Sequence, residues 1–319
     1  MASNMPNVLE GLRSAEVVGV RQGAGLQVFD LRWLAGPAEK AHDYVTLDEA
    51  LEQQALDVTE ISEGGTVPTL KVLNKSVRMV FLMAGEELVG GKQNRVLNSS
   101  LMVPAKTEVP IPVTCVEVGR WGYKSRKFGS ASSSSHAALR VMMSKQVTGS
   151  YQAVGTPRSD QGAVWGEVAR KMSRMGSSSG SGALHDMYED YAKKLDAVLG
   201  SLPAPEGCNG AAFAIHGKVV GADLFDQPTT LRKLWGKLIW SYAVDALETP
   251  KEKPAAVEVG QVAEWLKSAS SAKLHWFDSP GIGKDVRIED KNLVGATLVV
   301  DARPVHVELF REEEQPAAK

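Results

Sequence analysis

The sequence predicts an α+β protein with mixed, largely antiparallel β-sheets and a helical middle segment. Three observations carry this. Short β-rich runs bounded by turn residues fill the first third, helical patterns occupy the middle, and strand patterns return near the end. Strands at both ends with helices between fit one domain over residues 15–311, with Ser-rich loops and helices at 124–202 inside it. An acidic tail, residues 312–319, is expected to be disordered.

The elements follow in order. Ala15–Val20 and Leu26–Leu34 flank Gln22-Gly23-Ala24-Gly25, a hairpin signal. Thr46 and Glu49 form a capping box for a helix from Leu47 to Leu56. Asp57–Ser62 and Val67–Leu73 read as strands around Gly64-Gly65, and Pro68 argues for an edge position. Val77–Met83 is nearly all apolar, as a fully buried strand would be. Val96–Val103 and Ile111–Val118 read as two more strands, joined by a turn over Ala105–Pro110. From Ser125 the chain is polar and Ser-rich, turning helical near His136. Asp160 is placed to cap a helix carrying Val164, Val168 and Met172. Ser177–Gly182 (SSSGSG) reads as a flexible joint and marks the second-choice place to divide the chain. Leu184, Met187, Tyr188, Tyr191, Leu195 and Val198 line one helical face, and Pro203 and Pro205 end it. A hairpin around His216-Gly217, a strong helix from Thr229 or Thr230 and a charged loop at 249–254 come next. A shorter helix over Val259–Ser268 and four strands beginning at Leu274, Asp285, Ala296 and Val305 complete the chain.

Bulk composition narrows the function classes. Lys plus Arg number 36 against 38 Asp plus Glu, so the basic excess of a duplex nucleic-acid binder is missing. No apolar run reaches the length of a membrane span, and the start lacks a signal-peptide pattern. Cys115 and Cys208 are too few for a disulfide framework, which suggests a reducing compartment; the expectation is a cytoplasmic protein.

The densest chemistry lies between Ala84 and Tyr123. Glu86, Glu87, Lys92, Gln93, Asn94 and Arg95 sit between apolar runs, followed by Cys115, Glu117, Arg120 and Trp121. Polar groups this close to core strands are costly to bury unless each finds a partner or a ligand. In a regular strand Cys115 and Glu117 share one face, as do Gln93 and Arg95 in the strand before. If the two strands pair, amides, cations and carboxylates converge at one rim. Such a set suits an anionic, hydrogen-bond-rich small molecule. Cys115 reads as a wall residue, since a lone strand cysteine is usually a small buried hydrophobe. Asp223, in GADLFD, and Asp278 and Lys284, in FDSPGIGKD, lie in two later loops that are candidates for further walls; Asp226 reads as a turn or cap residue.

Familiar motifs do not fit. The run from Gly85 to Lys92-Gln93 has a glycine spacing one too long for a phosphate-binding loop and lacks its Ser or Thr. Four residues separate Cys115 from Arg120 where a cysteine-phosphatase loop has five. His185, Asp186, Glu189 and Asp190 lie about a turn apart, but without HExxH they read as a solvated helix face, not a metal site. The motifs therefore name neither metal nor cofactor.

The runs GEELVGGKQNRVLNSS and PIPVTCVEVGRWGY resemble a bacterial family named for its association with ADP-ribosylglycohydrolase and rhodanese-phosphatase proteins (the ARPP family). GADLFD and FDSPGIGKDVR extend the likeness over Ala15 to Phe310. The resemblance implies handling of ADP-ribose, NAD-derived metabolites or modified nucleic-acid ends. Family-like positions are Glu86, Glu87, Lys92, Gln93, Asn94, Arg95, Cys115, Glu117, Arg120 and Trp121. The leading expectation is an enzyme on an ADP-ribosyl or related nucleotide substrate. Lys92, Arg95 and Arg120 would hold phosphate charge, Gln93 and Asn94 orient ribose or base, and Trp121 stack. Glu87 or Glu117 would be the general acid or base. A nucleotide or ADP-ribose sensor, and a partner-binding or structural protein with a buried polar network, are the alternatives.

Overall fold

The computed structural model describes residues 9–35, 41–248 and 255–312. A 3-10 turn, Glu10–Ser14, leads into a hairpin of β1 (Glu16–Gly23) and β2 (Leu26–Arg32). Ala24 and Gly25 both take positive φ in its turn, at 50° and 79°, matching the twist that two-residue hairpins prefer. β3 (Tyr44–Thr46) runs into α1 (Leu47–Glu52), and the capping box of Thr46 and Glu49 is formed. This helix stops short of the expected Leu56, which instead opens β4 (Leu56–Glu60).

β5 (Thr69–Asn74) pairs with β4 on one side and β10 (Glu108–Cys115) on the other, so the expected edge position is wrong. Pro68 lies just ahead of the strand, where its missing N–H removes no ladder bond, and its carbonyl accepts the Val113 N–H at 3.0 Å. β6 (Met79–Leu82), β7 (Glu86–Gly90), β8 (Arg95–Leu97) and β9 (Leu101–Val103) complete this region. The single strand expected over Val96–Val103 is thus two short ones in different sheets. β7, hidden in the sequence by its two glutamates, was not expected.

A further departure is β11 (Phe128–Ser134), where the sequence reads as Ser-rich loop. The helices α2 (Ala137–Val154), α3 (Gln161–Met175) and α4 (Leu184–Ser201) follow as expected, and the Asp160 carboxylate caps α3 by accepting the Ala163 N–H at 2.8 Å. β12 (Gly210–Ile215) and β13 (Lys218–Phe225) form the second hairpin. α5 (Pro228–Glu248), α6 (Val259–Ala269), β14 (Lys273–Asp278), β15 (Lys284–Asp290), β16 (Leu293–Val300) and β17 (Arg303–Arg311) finish the described chain. The charged loop 249–254 and tail residues 313–319 lie outside the described residues. Glu312 is described and pairs with Lys145 at 2.9 Å.

The strands form three sheets, ordered β1-β2-β12-β13-β17-β16-β15-β14, β11-β7-β8-β10-β5-β4 and β3-β6-β9. Every pairing between named strands is antiparallel except β3 with β6, so the chain is an α+β fold. The largest sheet is covered on both faces, which explains why β2 is apolar on both. Leu26 and Val28 pack with residues of α2 to α5, while Phe29 and Leu31 pack with residues of α6 and the 3-10 turn. The six-stranded sheet, the three-stranded sheet and α1 enclose a separate apolar cluster. Among the described residues, no helix is long and apolar enough to cross a membrane.

Candidate functional site

The polar stretch belongs to the six-stranded sheet. β8 lies between β7 and β10, with Cys115 opposite Arg95 and Glu87 opposite Val96. A glycine turn separates β7 from β8. Gly90 and Gly91 take φ of 123° and 51°, and a Cβ on Gly91 would lie 2.1 Å from the Phe128 ring, so no side chain fits there.

This turn delivers Gln93, Asn94 and Arg95 to the end of β10, where Glu117 organises them. Its Oε2 accepts the Asn94 N–H at 2.9 Å and an Arg120 Nη2 bond at 2.6 Å. Its Oε1 accepts from Arg120 Nε and from the Ser181 hydroxyl, both at 2.8 Å. Gln93 donates to the Glu117 carbonyl at 2.7 Å and accepts from the Cys115 thiol at 2.9 Å. Arg120 also donates to the carbonyls of Gly91 and Gly122 at 2.7 and 2.8 Å. Burial alone would push the Glu117 carboxyl up. The bonds from Arg120, Asn94 and Ser181 outweigh it and hold the group below its ordinary range.

Arg95 is fully buried on this side. Its Nη1 donates to the Gln93 carbonyl at 2.9 Å, and Glu60 stands 3.8 Å from its Nη2. Its Nε and Nη2 have no hydrogen-bond partner among the described residues. The Trp121 ring, 52% exposed, lies 5.9 Å from its guanidinium. Lys92 approaches the rings of Trp121 and Tyr123 at 5.4 and 5.1 Å. Burial raises the Cys115 thiol to about 11, so at neutral pH it stays protonated and is no thiolate nucleophile.

Glu87 presents a second kind of environment. It is fully buried; its Oε1 has no partner among the described residues, and its Oε2 has a long bond of 3.4 Å from the Ser133 hydroxyl. His185, on the first turn of α4, faces it with Nδ1 at 3.9 Å. Burial, with the nearby charges of Glu117 and Asp186 adding to it, pushes the Glu87 carboxyl up to about 8. The expected solvated face of α4 is therefore only partly so: His185 turns inward, and Asp186 accepts a hydrogen bond from Ser179. The Ser177–Gly182 joint is pinned here as well, since Ser181 bonds Glu117 and its carbonyl accepts the Gly119 N–H at 2.7 Å.

The remaining candidates lie elsewhere. Glu86 bonds Lys237 at 2.5 Å and the Met83 N–H at 2.7 Å, with Asp48 2.7 Å from the same ammonium. Asp223 joins a buried set of Arg140, His306 and Tyr242, with Arg140 also reaching Glu308. Asp226 accepts from Tyr44 at 2.6 Å. Asp278 and Lys284 pair with each other at the solvent-exposed ends of β14 and β15. The structure thus gathers Lys92, Gln93, Asn94, Arg95, Cys115, Glu117, Arg120 and Trp121 around the glycine turn and the end of β10; by register Glu87 lies with Val96 on the opposite face of the sheet from Arg95 and Cys115, and Glu86, Asp223, Asp278 and Lys284 lie outside. Sequence reasoning missed Ser133, Ser181 and His185 as members. Their only signal was position in Ser-rich and helical segments that fold back from far along the chain.

A cleft of about 550 Å³, lined in part by Arg170, Arg174, Lys218, Asp245 and Glu248, includes none of these residues. Among the described residues no group of three or more His, Cys, Asp or Glu is arranged to hold a metal ion. A family model described as ARG and Rhodanese-Phosphatase-superfamily-associated Protein domain matches residues 15–310. No curated protein and no solved structure matches the chain.

Proposed function

We propose, from the premise that the chain belongs to the ARG and rhodanese-phosphatase-superfamily-associated protein family, that it is an enzyme acting on an ADP-ribosyl, NAD-derived or related nucleotide substrate. One observation carries the catalytic reading. Two carboxyl groups near enough to feel each other's charge are pushed apart, Glu87, buried beside His185, up to about 8 and Glu117, held by Arg120, Asn94 and Ser181, below its ordinary range. Environments that separate two acids in this way assign the proton donor and the ionised partner.

In this reading Glu87 donates its proton to the leaving group as the bond to ribose or phosphate breaks. Glu117, already ionised, takes the proton of the attacking water or hydroxyl. Lys92 and Arg120 balance phosphate charge, and the exposed Trp121 ring offers a stacking face for a base. Ser181, in the serine loop 177–182, covers Glu117 through its hydroxyl bond, and substrate reaches that carboxylate when this bond is released.

A second reading rests on a different observation. Glu117, Gln93, Asn94 and Arg120 bond mainly to one another and to backbone, as a network that fixes the fold does. A thermal-shift and product screen with NAD, ADP-ribose and mononucleotides separates the readings. Stabilisation with product supports the enzyme. Stabilisation without product points to a sensor, and no response to any compound favours the structural network.

A further inference from the structure

We propose that His185 is the proton relay that connects the buried Glu87 carboxyl to solvent. The proposal rests on the reading of Glu87 as a proton donor and adds what that role requires. A donor that gives up its proton at each turnover must be reprotonated, and Glu87 has no exposed surface of its own.

The groups around it narrow the route. Ser133 meets Oε2 at 3.4 Å and is itself buried, as is Asn94, whose side-chain amide lies against the same carboxyl. Glu117 is engaged by Arg120 and Ser181, and Asp186 by Ser179. The Tyr188 hydroxyl, one turn along α4, donates to the Ser134 carbonyl at 2.7 Å. His185 differs from all of these. Its buried Nδ1 has no hydrogen-bond partner among the described residues and stands 3.9 Å from Glu87 Oε2. Its side chain is 25% exposed, and Nε2 points toward the exposed Glu189 carboxylate at 3.8 Å. One small side-chain movement, or one bridging water, turns the 3.9 Å approach into a hydrogen bond.

Imidazole suits this position because either nitrogen can carry the proton. After Glu87 has donated, its carboxylate takes the Nδ1 proton while Nε2 takes one from solvent. The ring stays neutral with its proton moved from Nδ1 to Nε2. Return of the proton to Nδ1, through solvent or a ring flip, resets it. No charge accumulates in the core, and the Glu87 carboxyl is restored.

Hydrogen–deuterium exchange of the Glu87 carboxyl, followed by infrared spectroscopy, tests this without a known substrate. The band is assigned as the protonated-carboxyl stretch lost in Glu87→Gln at pH 7. In the wild type it shifts within the mixing time. In His185→Phe the exchange is expected to slow by roughly tenfold or more, because it then waits for local opening. His185→Gln, which keeps a polar side chain but whose amide does not accept and release protons at neutral pH, is a second variant should the first fail to fold; it is expected to slow likewise. Exchange as fast as the wild type in a folded His185 variant overturns the relay while leaving Glu87 as donor. Absence of any Glu87-dependent band at pH 7 overturns the donor assignment itself, and the relay with it.

Discussion

Replacing Glu87 by Gln should make the protein more stable at neutral pH. Burial pushes this carboxyl up to about 8 from an ordinary value of 4.5. The folded state therefore keeps a proton that the unfolded chain releases once the pH passes 4.5. Stability contributed by that proton is complete below pH 4.5 and declines as pH rises, until it is lost above about 8. Each pH unit in that window is worth about 1.4 kcal/mol, so wild type loses roughly 4 kcal/mol relative to the Gln variant between about pH 5 and 8. The amide does not titrate, but it introduces N–H donors beside Ser133 and His185. An imperfectly paired donor takes back about 1 kcal/mol, leaving Glu87→Gln ahead by about 2 kcal/mol at pH 7. Chemical denaturation of both proteins at several pH values measures the difference directly. A stability difference that does not change with pH, or a Gln variant less stable than wild type throughout, would show that Glu87 does not hold its proton in the folded protein.

Other outcomes follow from the same geometry. Arg120→Met leaves Glu117 without its cation and takes one donor each from the carbonyls of Gly90, Gly91 and Gly122; a loss of about 3 kcal/mol is expected in denaturant titration. Trp121→Ala removes a half-exposed ring, so stability should change by less than about 1 kcal/mol while affinity for a base-bearing ligand, read by calorimetry, falls about tenfold. Arg140→Met strips the cation from buried Asp223 and Glu308, with an expected cost of about 3–5 kcal/mol in the same denaturant assay.

Much of this architecture was legible because local chemistry and tertiary context agree. The hairpin turns at Ala24-Gly25 and His216-Gly217, the Thr46 capping box and the Asp160 cap are local features, and local features survive folding. β7 and β11 were hidden for one physical reason. Glu86 and Glu87, like the serines of β11, have poor strand propensity, and only partners far along the chain make their burial tolerable. Lys237 compensates Glu86 from α5, and the Tyr188 hydroxyl bonds the Ser134 carbonyl. Pairing of the Arg95 and Cys115 strands was an explicit condition of the sequence reading, and their register meets it. The contribution of His185 and Ser181 was beyond it, because helical periodicity says which face a residue occupies but not what lies across from that face.

Glu87 and Glu117 are proposed to work as an acid and its ionised partner on a nucleotide-type substrate. Product formation from the ADP-ribose, NAD and nucleotide panel, measured side by side for wild type, Glu87→Gln and Glu117→Gln, tests this pairing. Turnover by wild type and a loss of at least about a hundredfold in each variant are expected, with both variants folded and still stabilised by ligand. Turnover retained at the wild-type rate in either folded variant would contradict it.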